Sequence, residues 1–357
     1  YTISTLVHRV PILSRKTMEK RQETILKNTV RDYIDTAEPV SSGSLIKKHN
    51  FKVSSATIRH ELSLLEKEGY LAHMHTSSGR IPTDKGYRAY VDALTKSWKL
   101  PEVQSEKLKK QIQAIDHNMQ NVLNQAALIT SALTDCAVVA LSPEIIGEAL
   151  KLIRLILLDL DKILIVTLNA LGNNKEFVLN IKDKVSQEDL NKISNFLNEK
   201  LKGRPVLSID ETEFDKIIKS LPKYQTILNK LYKEIKKRAQ DLESNLITHG
   251  LSKMIQLPDF NNNIEYARKV MGILEERKGI CDILCEYIRS DKEAILIGEE
   301  TKIKNLNDCS LVLSPYKSKE TPLGALAVLG PKRMAYRYIV PLVKNVAHIM
   351  SNLVGRR

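Results

Sequence analysis

Two clusters of polar side chains stand out for the chemistry they can do. Ser55, Thr57, Arg59 and His60 form one, and Thr76, Ser77, Ser78 and Arg80 form the other. Hydroxyl, imidazole and guanidinium groups donate hydrogen bonds to phosphate oxygens, and an arginine fork matches the O6/N7 edge of guanine. Lys47, Lys48 and Lys52 lie just upstream and add cations suited to a phosphate backbone. The chemistry on offer is therefore recognition of a polyanion. Reaction chemistry has no comparable set. The chain has no GxSxG, GxxxxGK[ST], HExxH or dinucleotide fingerprint. We assign no catalytic residue and no cofactor, and expect no enzyme. Cys281 and Cys285 are four apart, and His73 and His75 share a strand face, but neither pair has the further ligands a zinc site needs, so no metal is expected.

These residues need a scaffold, and the surrounding pattern supplies one. From Met18 to Thr36, Ile25, Thr29, Val30, Tyr33 and Ile34 recur at helical spacing, and Pro39 ends the run. A second helix is expected over about Ser42 to Lys48, and a third from the cap Ser54 to Glu68, stopped by Gly69. In the third helix Ile58, Leu62 and Leu65 face inward. Ser55, Ala56, Arg59, His60 and Ser63 fall on the other side, where small residues let a helix enter a groove. An ordinary solvated helix face would carry the same residue types. Behind this helix, Tyr70 to His75 alternates like a strand. Thr76-Ser77-Ser78-Gly79 forms a polar tip, Arg80-Ile81 returns, and Thr83 caps a new helix. The order is that of a winged helix-turn-helix spanning residues 18–100, in which Arg80 and the tip hydroxyls would bind phosphates. Arg15 to Thr95 holds 14 Lys and Arg against 10 Asp and Glu, a local net charge of +4.

Composition sets outer bounds. The 357 residues carry 55 Lys and Arg against 42 Asp and Glu, a net +13 that fits a polyanionic partner. No stretch approaches the length of apolar sequence that crosses a membrane. Residues 1–17 read as a leader, and His8, Arg9 and Pro11 interrupt what would be a signal peptide's apolar stretch. Four cysteines are too few for a disulfide scaffold and suit a reducing compartment, so the expected location is cytoplasmic. Trp98 is the single tryptophan, and so few aromatics disfavour stacking of single-stranded RNA.

From Leu108 to Leu133, apolar residues alternate at spacings of four and three, a seam that can pair with its copy in a dimer or pack within its own domain. Strands are expected at Ala137 to Leu141, Leu152 to Leu160, Lys162 to Leu168 and Glu176 to Ile181. Helices follow over Ser186 to Leu201, Glu211 to Ser220, Lys223 to Ser244 and Ile264 to Arg289. Late strands at Ala294 to Gly298, Ser310 to Ser314 and Gly324 to Leu329 precede a terminal helix from Met334 to Val354. Two strand groups separated by helices read as one α+β domain interrupted by an insertion.

Several long blocks resemble the HrcA family of heat-inducible transcription repressors. They are Ser55-Ala56-Thr57-Ile58-Arg59, Leu65 to Leu71, and His75-Thr76-Ser77-Ser78-Gly79-Arg80-Ile81-Pro82-Thr83-Asp84-Lys85-Gly86-Tyr87-Arg88. Near the other end they are Asp308 to Val312, Gly324 to Met334 and Tyr338 to Val343. His60 stands where such proteins often carry Asn, which bears on base preference. The resemblance implies a multidomain α+β fold: a winged helix-turn-helix, then a GAF-like α/β domain (101–205 and 260–357) interrupted by an inserted dimerisation domain (206–259). It implies a repressor of chaperone operons that binds an inverted-repeat operator on double-stranded DNA, is relieved on heat shock and depends on the chaperonin. Independently, one helix and wing read too few base pairs for tight specificity, so a homodimer is expected. The alternative is a winged-helix regulator that senses a small molecule through the GAF-like domain.

Overall fold

The computed structural model describes residues 18–73, 79–113, 119–141, 150–169, 174–204, 211–240, 246–318 and 321–355. The chain divides into two compact units, Tyr1–Ser97 and Trp98–Arg357. The expected leader, residues 1–17, lies outside the described residues, as do Thr76, Ser77 and Ser78.

In the first unit α1 is Lys20–Thr36, α2 Ser42–His49 and α3 Ser55–Lys67, followed by β1 (Leu71–His73), β2 (Arg80–Pro82) and α4 (Asp84–Leu94). The starts of α2, α3 and α4 have a local cause. Ser41 accepts a hydrogen bond from the Ser44 N–H, Ser54 from that of Thr57 and Thr83 from that of Gly86, satisfying donors that a helix leaves open at its first turn. Ala37 turns left-handed at the end of α1, ahead of Pro39. Ile25, Leu26, Val30, Leu45, Ile58, Leu62 and Leu65 close one core. The strands pair antiparallel, with His73 opposite Arg80. Val40, between α1 and α2, exchanges two backbone hydrogen bonds with Arg80 at 2.9 Å each, adding a third segment to the ribbon.

The second unit begins with α5 (Glu102–Gln113), α6 (Met119–Thr134) and β3 (Ala137–Leu141). The strands β4 (Leu150–Asp159), β5 (Lys162–Asn169) and β6 (Asn174–Asn180) follow, then α7 (Gln187–Leu201), α8 (Glu211–Ser220) and α9 (Gln225–Gln240). Next come β7 (Leu246–His249), α10 (Leu251–Gln256), α11 (Pro258–Asn261), α12 (Ile264–Glu276) and α13 (Lys278–Ser290). The chain closes with β8 (Ala294–Ile297), β9 (Cys309–Ser318), β10 (Thr321–Pro331) and α14 (Tyr336–Gly355). An antiparallel five-stranded sheet has the order β7-β3-β10-β9-β8. Its strands read as continuous apolar runs because helices cover both faces. Ala137, Val139, Leu141, Leu311, Leu313, Ala325 and Ala327 pack with Val270, Leu274, Leu284 and Ile288 of α12 and α13, while α6 and α14 lie against the sheet. Gly324 is required by a close approach: a Cβ there would sit 2.2 Å from the Tyr316 hydroxyl, which donates to the Leu141 carbonyl at 2.7 Å. All four cysteines are buried, and none is in a disulfide. Burial pushes the Cys136 and Cys309 thiols up to about 12.

Strands β4, β5 and β6 form a separate three-stranded sheet. Ile153, Leu155, Ile163, Ile165, Phe177 and Leu179 build its core with Leu190, Ile193 and Leu197 of α7, Ile217 of α8 and Leu228 and Leu231 of α9. Ser186 and Asp189 cap α7 reciprocally. Tyr224 and Ser186 hydroxyls and Lys223 hold the Asp189 carboxyl well below the usual carboxylate range.

Three features bear on the expectations. An apolar cluster of its own gathers residues from within 150–240, which comes in chain order between the neighbouring strands β3 and β7, whereas the insertion was expected at 206–259. Apolar alternation at 150–180 fits either sheet, and only pairing partners tell which. Of the seam, Leu108, Ile112, Val122 and Ala126 are buried and Leu133 is exposed, and α5 and α6 lie against α14, with Gln104 donating to the Tyr338 hydroxyl at 2.6 Å and Asn345 to Ser105 Oγ at 2.7 Å; this is packing within the unit, one of the two alternatives the spacing allowed. The helix expected from Ile264 to Arg289 is two helices, broken where Arg277 turns left-handed.

Candidate nucleic-acid interface

The first polar cluster is presented by α3 as its spacing requires. Ile58, Leu62 and Leu65 are at most 3% exposed, while Ser55, Arg59 and His60 are exposed on the opposite side. Ser55 and Ser42 meet through their hydroxyls at 3.2 Å, so the first turns of α3 and α2 converge at the surface. Thr57 is half-buried, and its hydroxyl lies 2.9 Å from Ser54 Oγ, within the cap. Its role is to hold the start of the helix as much as to face outward. Lys47, Lys48 and Lys52 are exposed beside α3. Lys48 stands 3.9 Å from Asp32, which offsets part of its charge.

Arg80 departs from expectation. Its side chain is 14% exposed, and its Nε donates to Glu66 Oε2 of α3 at 2.8 Å. It is not the open, solvent-facing guanidinium that the sequence pattern assigned to phosphate. A neighbouring carboxylate and a ribbon packed on α3 account for the difference. The tip residues Thr76, Ser77 and Ser78 fall outside the described residues.

The sequence reading missed the groups that hold α3 and α2 in place. Arg21 of α1 donates through Nη2 and Nε to Glu61 Oε1, at 2.5 and 2.8 Å. Glu61 is 3% exposed, and its second oxygen has no partner among the described residues. Asp32, 5% exposed, accepts from His49 Nε2 at 3.0 Å. Arg31 Nη2 lies 2.9 Å from His49 Nδ1. A guanidinium only donates, so Nδ1 accepts and the ring proton sits on Nε2. A charged residue on the inner face of an amphipathic helix was the one available signal, at Asp32 and Glu61. Their partners, 17 and 40 residues away, have no local signature.

Among the described residues no group of His, Cys, Asp and Glu could hold a metal, and no helix is long and apolar enough to cross a membrane. The arrangement suits binding of an extended anion by an exposed helix face. The chain is one of mixed helices and sheets. Residues 120–340, more than half of the chain, match the family described as HrcA protein C terminal domain. The heat-inducible transcription repressor HrcA of Acetivibrio thermocellus is 32% identical over 95% of this chain and 97% of its own length. That of Clostridium tetani is 34% identical over 94% and 96%. The chain belongs to the HrcA family of heat-inducible transcription repressors, and its function is repression of heat-shock genes. A crystal structure described as that of a hypothetical protein shares the fold, with a TM-score of 0.64 at 22% identity over 95% of this chain and 99% of that one.

Proposed function

We propose that the first unit is a winged helix-turn-helix that binds double-stranded DNA, reading bases with α3 and phosphates with the residues around it. The observation that carries this is the division of α3: a buried side of Ile58, Leu62 and Leu65, with Glu61 paired to Arg21, and an open side of small residues with Arg59 and His60. Arg59, His60, Ser55 and Thr57 stand at or near base edges. Lys47, Lys48 and Lys52 neutralise phosphates, and the hydroxyls of Thr76, Ser77 and Ser78 are further phosphate-binding candidates. The five-stranded unit is the GAF-like domain, and the 150–240 segment is the inserted dimerisation domain.

The open face of the three-stranded sheet supports the dimer. Ile156, Leu158 and Val178 are 42%, 53% and 46% exposed there, with Leu164 and Val166 between them. Arg154, Val166 and Glu176 stand in one cross-strand row on this face. A two-fold axis over β5 exchanges the β4 and β6 sides, bringing Arg154 of each copy to Glu176 of the other. Such a dimer reads an inverted repeat ahead of chaperone operons, and is set free on warming and replenished by the chaperonin.

The test is selection of bound duplexes from a random pool, with sedimentation of the protein at micromolar concentration. A recovered motif with dyad symmetry and a dimeric protein are expected. A motif without a dyad, or a monomer with and without duplex, overturns the dimer. Recovery of no preferred duplex overturns base readout.

A further inference from the structure

The two-stranded ribbon behind α3 is too short to fix its own position. It consists of three residue pairs, Leu71 with Pro82, Ala72 with Ile81 and His73 with Arg80, and hairpins of this size are marginal alone. Leu71 and Pro82 are buried beneath it, and further ties converge on Arg80 and its neighbour. The Arg80 backbone is committed to Val40 in both directions. Gly79 is buried so closely against Pro39 that a Cβ would lie 2.6 Å from the Pro39 side chain and 2.7 Å from its backbone. The Arg80 side chain turns toward α3 and donates to Glu66 at 2.8 Å, with only 14% of it exposed. Val40 ties the ribbon to the segment joining α1 and α2, while Glu66 ties it to α3.

From this geometry we propose that Arg80 and Glu66 form a latch that sets the ribbon against α3, making Arg80 a positioning residue for DNA binding and not a phosphate contact. The inference rests on the DNA-binding reading above. An ion pair at this position fixes the spacing between two binding elements while neutralising the charge that phosphate recognition would need. Removing either partner therefore has the same effect, because each frees the same contact.

The experiment uses the full chain, the duplex recovered by selection and a scrambled duplex of equal length, titrated over a range of salt. The proteins are wild type, Arg80→Gln, Glu66→Gln, the double variant, and the reversed pair Arg80→Glu with Glu66→Arg. Each single variant is expected to lose about three- to tenfold on the selected duplex, and the double variant no more than the worse single. The dependence of log affinity on log salt stays as in wild type, and the reversed pair regains most of the loss. The latch is overturned if Arg80→Gln lowers that slope by about 0.9 on both duplexes while Glu66→Gln binds as well as wild type. It is equally overturned if every variant binds like wild type. Should a single variant unfold at the assay temperature, the reversed pair decides: binding supports the latch and failure to bind refutes it. Wild-type protein that prefers no duplex is a separate result, which removes the DNA-binding reading and the latch with it.

Discussion

The outer face of α3 and the open face of the β4–β5–β6 sheet are built alike on their hidden sides and oppositely on their visible ones. Both bury a row of branched aliphatic residues, Ile58, Leu62 and Leu65 in one and Ile153, Leu155, Ile163 and Ile165 in the other, all at most 3% exposed. Toward solvent, α3 presents Ser55, Arg59 and His60, whereas the sheet presents Ile156, Leu158 and Val178. A hydrated polyanion is met by donors that replace its water and counterions. A second protein surface is met by apolar area whose removal from water contributes about 25 cal/mol per Å². The contrast teaches that the buried side of an element reports its own fold, while the exposed side reports its partner.

The sharpest way to break this comparison is to alter one strand on each side in turn. Ile165→Ala, on the buried side of β5, is expected to destabilise the 150–240 segment by about 2–5 kcal/mol, read as a lowered denaturation midpoint. Val178→Asp, on the open side, should leave that midpoint nearly unchanged but weaken self-association roughly ten- to a hundredfold, read by sedimentation, because a buried carboxylate lacks a partner. Equal loss of stability in the two variants would mean that the open face is part of the core.

On α3 the expected effect is confined to binding. Arg59→Ala should cost about 1–3 kcal/mol on the selected duplex and less on a scrambled one, measured by fluorescence anisotropy. An equal loss on both makes it a phosphate contact. Lys52→Ala should weaken both duplexes alike and lower the salt slope by about 0.9. A preserved slope would place Lys52 off the DNA path.

The smallest expected effect is a pH dependence inside the 150–240 segment. The Asp189 carboxyl is held below the usual carboxylate range by Tyr224, Ser186 and Lys223. A depressed folded-state pKa adds stability above the ordinary carboxylate pKa, lost as pH falls through the folded value. Asp189→Asn should therefore melt below wild type at neutral pH, and the gap should close in strong acid. A gap that persists there would assign the effect to packing.

Much of the first unit was legible from local pattern. Ser54 and Thr83 cap where they were expected to, and α3 turns Ile58 inward and Arg59 outward, because caps and helical spacing depend only on near neighbours. The pairing of Arg80 was not legible, for the opposite reason. Its partner Glu66 is 14 residues away on a different element, and an arginine beside a polar loop looks the same whether it faces phosphate or carboxylate. The brace of Asp32 and His49 was invisible on the same ground. In the second unit, strands 150–180 were legible as strands, but not that they form a sheet separate from that of β3 and β7 to β10.

By itself the sequence determined which residues form helices and strands, which side of each is apolar, and, through its long motif blocks, the family. Those are properties of neighbours along the chain, set by side-chain periodicity and backbone capping. Only the tertiary structure decided which strands share a sheet, that α5 and α6 pack within their own unit, and that Arg80 is held by Glu66. Each of those choices joins residues far apart in sequence, and many pairings satisfy the same local pattern until the whole chain is packed at once.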